Sequence, residues 1–179
     1  MSQLGVNRVS LGVQDFDDKV QKAIHRIQPD SLVKKLVDEC RSFGFSINFD
    51  LIYGLPFQTI NSIEETLKKV LILSPDRIAF YRLAMIPDMF KWQRTFCKKD
   101  LPPKDKILDI YLLIINTLTQ NGYSFIGLDH FAKENDALHT AMQEKSVRRN
   151  FQGMSTGRGL DIIGLGPSSI SQFENGYVQ

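Results

Sequence analysis

INFDLIYGLPFQT, residues 47–59, reads as a β-strand running into a turn. Ile47, Phe49 and Leu51 share one face of that strand; Asn48, Asp50 and Ile52 share the other. A parallel strand buried on both faces is close to continuously apolar. Two polar residues on one face therefore predict that this face meets something polar. Gly54-Leu55-Pro56 ends the strand: Pro56 cannot donate to a ladder, and Gly54 permits a sharp turn or a close backbone approach.

Working outward, NRVSLGVQ (7–14) repeats the split, with Val9, Leu11 and Val13 opposite Arg8, Ser10, Gly12 and Gln14. DFDDKVQKAIHR offers aspartates to cap a helix and places Val20, Ala23 and Ile24 at helical spacing. SLVKKLVDECRSFG (31–44) suggests a helix with Leu32, Leu36, Val37, Cys40 and Phe43 on its stripe and Gly44 just past its end. NSIEETLKKVLIL (61–73) aligns Ile63, Leu67, Val70 and Leu71, with Asn61 and Glu64 in the pattern of a capping box. DRIAFYRLA (76–84) predicts another strand, and PPKDKILDIYLLIINTLTQNG (102–122) a long amphipathic helix. YSFIGLDHF and DIIGLGPSSIS read as strands, while 133–159 is polar and irregular. Strands alternating with amphipathic helices predict an α/β fold with a parallel sheet. Strands with one apolar and one polar face suggest part of an open (β/α) barrel, with helices outside. Ligands meet such barrels at the C-terminal strand ends, where Gln14 and Asp50 stand. An aspartate on such a face serves either a ligand or backbone amides.

The 179 residues suit one domain, and the 42% hydrophobic content suffices for a sizeable core. A net charge of +2 is too balanced to indicate nucleic acid, and pairs such as Lys34-Lys35 and Arg148-Arg149 read as solvated faces. No apolar run approaches the roughly 20 residues of a membrane span, and the start, MSQLGVNR, lacks the apolar stretch of a signal peptide. Cys40 and Cys97 are far apart, which argues against a disulfide framework or zinc site and for a reduced, cytoplasmic setting. His25 and His130 read as surface or packed residues, Trp92 with Phe90 and Phe96 as packing, and GLGPSS (164–169) as a tight turn. Composition and periodicity name no reaction.

Four motifs together do. GVNRVSLGVQDF, INFDLIYGLPFQT, YSFIGLDHFAK and RNFQGMST…DIIGLGPSSIS resemble the oxygen-independent (anaerobic) coproporphyrinogen III oxidases, radical S-adenosylmethionine (SAM) enzymes of haem biosynthesis. GLDHFAK followed by RNFQG is more particular to the oxidases than to the related haem chaperones. The resemblance implies a partial (β/α) barrel with a smaller C-terminal domain. It also implies a [4Fe–4S] cluster on a C-x-x-x-C-x-x-C motif and a SAM that is split there to a 5′-deoxyadenosyl radical. Hydrogen removal from a propionate side chain and loss of CO₂ then leave a vinyl group, and a second round gives protoporphyrinogen IX.

This chain has no C-x-x-x-C-x-x-C, so no metal ligand is assigned to it. The resemblance thus implies a partial copy, inactive alone. Residues 1–122 would be the second half of the barrel, and 123–179 its closing part and the start of the C-terminal region. Matched residue by residue, Gln14, Arg26, Asp50 and Ala84 fall on positions that bind a second SAM in that family, and Ile170 on a contact to the cluster-bound SAM. No catalytic residue is assigned. The implied partner is a small tetrapyrrole, with no nucleic acid, no membrane and an electron donor the motifs do not identify. Leu83 and Met85 stand where the family commonly has an aromatic residue and a histidine. That departure keeps an alternative open: a haem chaperone, or a paralogue for another tetrapyrrole.

Overall fold

The computed structural model describes residues 5–151, 153–156 and 160–179. The chain divides into two compact units, Met1–Asp136 and Ala137–Gln179.

The first unit is laid down in βα steps. Strand β1 (Arg8–Gln14) leads into α1 (Asp18–Ala23), which Asp17 caps by accepting from the amides of Lys19 and Val20. Helix α2 (Asp30–Ser42) ends at Phe43, and Gly44 follows with φ +75°, the left-handed conformation that glycine supplies without a Cβ clash. Strand β2 (Ser46–Tyr53), helix α3 (Ile60–Leu73), strand β3 (Arg77–Arg82), helix α4 (Lys104–Gln120) and the strands β4 (Tyr123–Gly127) and β5 (His130–Lys133) complete it. The five strands form one sheet in the order β1-β2-β3-β5-β4. Strands β1, β2 and β3 run parallel, as the alternation predicts; β5 pairs antiparallel with both β3 and β4. YSFIGLDHF is therefore not one strand but a hairpin.

Helices cover one face of this sheet. Ile47, Phe49, Leu51 and Tyr53 of β2 and Ile78 and Phe80 of β3 are buried with Val37, Ile63, Leu67, Val70, Ile110, Ile114 and Leu118 of the helices. Such a layer is the main stabilising element of an α/β unit, since each fully buried aliphatic or aromatic side chain contributes about 1.5–3 kcal/mol. Two details differ from the expectation. Helix α2 buries Val33, Val37 and Cys40 and leaves Leu32, Leu36 and Phe43 exposed. Its contact stripe is narrow, so only the residues aimed at β2 are covered. Helix α3 is capped by Thr59 with Ser62, not by Asn61 with Glu64. Gly54-Leu55-Pro56 is the turn out of β2: Gly54 has φ +84°, and a Cβ on it would lie 3.2 Å from Ile107 Cδ1.

The second unit holds helix α5 (Ala137–Gln143) and two antiparallel ribbons, β6 (Arg148–Asn150) with β7 (Gly153–Ser155) and β8 (Ser171–Phe173) with β9 (Gly176–Val178). DIIGLGPSSIS is mostly irregular, not a strand; Ile162 makes a single bridge to Gln172, and Gly166 opens a turn with φ +123°. No described helix is long and apolar enough to cross a membrane.

Candidate functional site

The sheet face away from the helices carries the polar half of each strand. Register aligns it in rows. Gly12, Asp50, Ala79 and His130 lie side by side across β1, β2, β3 and β5; Ser10, Asn48, Arg77 and Ala132 form the next row. Asp50 thus stands between a glycine and an alanine, so its neighbours in the row leave the space beside its carboxylate open. Asn48 Nδ2 donates to Asp50 Oδ1 at 2.9 Å, while Oδ2 has no hydrogen-bond partner among the described residues. Burial pushes the Asp50 carboxyl above its ordinary value, and the Asn48 hydrogen bond opposes the shift.

Gln14 and Arg26 close on the same spot from β1 and from the loop after α1. Arg26 donates through Nε and Nη2 to the Gly12 carbonyl, at 2.9 and 2.7 Å. A Cβ on Gly12 would lie 3.0 Å from Gln14 Nε2 and 3.3 Å from Arg26 Nη2, so both side chains fold over this glycine. Since Gly12 is also the register partner of Asp50, the fold gathers three of the five expected residues at one point. Together they offer a carboxylate with a spare oxygen for hydroxyls, an amide that can donate and accept, and a guanidinium that can pair a carboxylate.

Ala84 lies just past β3, exposed, at the same C-terminal end of the sheet. Its carbonyl accepts from Gln93 Nε2 at 2.8 Å, and Gln93 Oε1 accepts from the Ile86 amide at 2.6 Å. The buried Gln93 side chain therefore fixes this loop as a strand partner would. Ile170 belongs to the second unit, where it lines a hollow with Arg149, Phe151, Phe173 and Tyr177.

Sequence reasoning missed the groups behind the site. Asp15 is fully buried. Its carboxylate accepts from Gln58 Nε2, from Thr66 Oγ1 at 2.8 Å and from the Asp17 amide at 2.7 Å. Gln58 also donates to the Ile52 carbonyl at 2.8 Å and accepts from the Leu55 amide at 2.8 Å. The end of INFDLIYGLPFQT is thereby bound to the end of β1. The only trace in the sequence was a polar residue at the end of each motif, in GVQDF and in GLPFQT. On the open face, Tyr81 and His130 form an edge-on pair with ring centroids 5.6 Å apart. At the start of β3, Arg77 and Asp136 make a buried forked ion pair, Nε to both carboxylate oxygens at 2.9 Å.

Cys40 is buried on α2 and Cys97 is exposed, and the described residues contain no cluster of three metal-ligating side chains.

Residues 1–70 match the radical SAM superfamily. The oxygen-independent coproporphyrinogen III oxidase of Synechocystis is 43% identical over 180 residues, 100% of this chain and 39% of that protein. That of Helicobacter pylori is 48% identical over 98% of this chain and 38% of its own length. The solved coproporphyrinogen III oxidase of Escherichia coli, described as a radical SAM enzyme, matches with a TM-score of 0.90 and 45% identity over 97% of this chain. It extends well beyond the match, which covers 40% of that chain. The present chain spans about two fifths of the length of these relatives.

Proposed function

We propose, on the premise that this chain is a partial-length relative of the oxygen-independent coproporphyrinogen III oxidases, that its open sheet face binds SAM for the oxidative decarboxylation of coproporphyrinogen III to protoporphyrinogen IX. The observation that carries this reading is the convergence of Gln14, Arg26 and Asp50 on Gly12. In such enzymes a SAM at the cluster supplies the hydrogen-abstracting radical chemistry; Gln14, Arg26, Asp50 and Ala84 would hold and orient a second SAM beside it. Asp50 accepts from the ribose hydroxyls through its spare oxygen. Arg26, with Nε and Nη2 tied to Gly12, presents its remaining N–H groups to the methionine carboxylate. Gln14 donates and accepts beside it, while Ala84 gives close apolar contact. Ile170, in the second unit, serves the SAM at the cluster. Two cysteines are fewer than the three thiolates a cluster needs, so no step is assigned to a cluster held by this chain. A tetrapyrrole substrate and a cytoplasmic setting belong to the same proposal.

Isothermal titration of the chain with SAM tests it. Asp50→Asn keeps the shape but loses the charge and one acceptor. It should weaken binding roughly ten- to a hundredfold, the value of one charged hydrogen bond, with little change in thermal stability. Reduced stability with unchanged affinity would make Asp50 a structural acceptor. Haem titration in parallel separates the chaperone alternative, which predicts tight haem binding without SAM.

A further inference from the structure

Gln14 has φ +67°, left-handed backbone that is unfavourable for any residue with a Cβ. The Asp15 amide donates to the Val13 carbonyl at 2.9 Å, closing a three-residue turn around Gln14. Turns of this kind with positive φ are rare and strained. Nothing in the Gln14 side chain requires the strain, so the surroundings must impose it. On one flank, Val13 is buried in the core. On the other, Asp15 is held by three donors on its carboxylate, and Gln21 Nε2 donates to its carbonyl at 2.8 Å. Those donors come from the β2–α3 connection, from α3, and from the first helix and its cap. With both neighbours fixed, Gln14 has a single residue in which to turn the chain.

We propose that Asp15 is a positioning residue: clasped by Gln58 and Thr66, it holds Gln14 in its strained turn and so aims the Gln14 amide over Gly12. This rests on the reading that Gln14 binds SAM. An alternative role, simply filling the core, does not call for a carboxylate. Burying one is costly unless it is fully hydrogen-bonded, and an apolar side chain would close the same gap. The three converging donors match an acceptor that ties two strand ends together.

The test uses two readouts on the full chain: hydrogen exchange of the residue-15 amide, without ligand, and SAM titration normalised to folded protein. In Asp15→Asn a donor replaces one acceptor. The turn amide should lose its protection, and SAM affinity should fall about tenfold or more, as in Gln14→Ala. Thr66→Val, which removes a single donor, should shift both readouts in the same direction by less and serves where Asp15→Asn does not fold. Gln14→Gly relieves the strain, so it should melt no lower than the parent chain yet bind SAM weakly, and adding Asp15→Asn to it should weaken SAM no further. A protected amide and unchanged affinity in Asp15→Asn, with a lower melting temperature, would overturn the proposal. If Gln14→Ala leaves SAM affinity intact, the binding reading fails instead, and the amide protection alone decides whether Asp15 holds the turn.

Discussion

Asp50 lies within β2 and Asp15 just past the end of the adjacent β1, and they differ in what surrounds them. Burial raises both carboxyls above the ordinary value of 3.8. Asp15 is compensated by three donors, whereas Asp50 has one, from Asn48. That contrast makes Asp50 the group with something left to bind. Its pH dependence follows. As pH falls, Asp50 takes up a proton before an exposed carboxylate would, so SAM affinity should begin to decline above the usual carboxylate range. Asp50→Asn should flatten that decline, which titrations at several pH values will show. For folding the sign reverses. A raised carboxyl is a native-state cost that is absent below the unfolded value and complete above the raised one. Melting temperatures of Asp50→Asn at neutral pH should therefore equal or exceed those of the parent. Period-two alternation placed Asp50 on the polar face from sequence alone. Asp15 was not legible in the same way, because DFDD reads as the acidic start of a helix.

At the level of elements, α1 to α4 lie where periodicity put them, whereas α5, β6 and β7 form in 133–159, which reads as irregular, and the working residues of α2 and α3 shifted. In α3, Thr59 accepts from the Ser62 amide, and the Ser62 hydroxyl lies 2.9 Å from the Thr59 amide. Thr59→Ala should therefore cost about 1 kcal/mol, and Asn61→Ala less than about half of that, in urea unfolding. In α2, Val37 is buried against the sheet while Leu36 is 42% exposed. Val37→Ala should cost about 2 kcal/mol and Leu36→Ala no more than about 0.5 kcal/mol. Neither distinction could be read from spacing. Leucines at 32 and 36 satisfy a helical period as well as valines at 33 and 37 do, and only the sheet decides which stripe is covered.

At the level of the molecule, β1 is an edge: it pairs with β2 and with no other described strand. A seven-residue edge strand offers unpaired amides and carbonyls to other chains. Concentration-dependent self-association in sedimentation experiments is expected; a clean monomer with one cooperative transition would count against it. Anaerobic reconstitution with iron and sulfide should leave the chain without the brown absorbance of a four-iron centre, since two cysteines cannot supply three thiolates. The Arg77–Asp136 pair links β3 to the chain beyond β5, with side chains only 7% and 8% exposed. Asp136→Ala should cost roughly 3–5 kcal/mol, because it strands a buried guanidinium.

The sequence by itself determined strands β1 to β3, helices α1 to α4, the polar face and the motifs that resemble a family. These depend on alternation at two residues, on repetition at 3.6, and on the special backbones of glycine and proline, all set within a few neighbouring residues. The tertiary structure alone decided that Gly12 would lie beside Asp50, that Arg26 would fold back onto Gly12, and that Asp15 would be clasped by Gln58. Those contacts depend on the register between strands and on hydrogen bonds between residues as many as 43 positions apart. No local period records such distances, because they are fixed only when the helices close over the sheet.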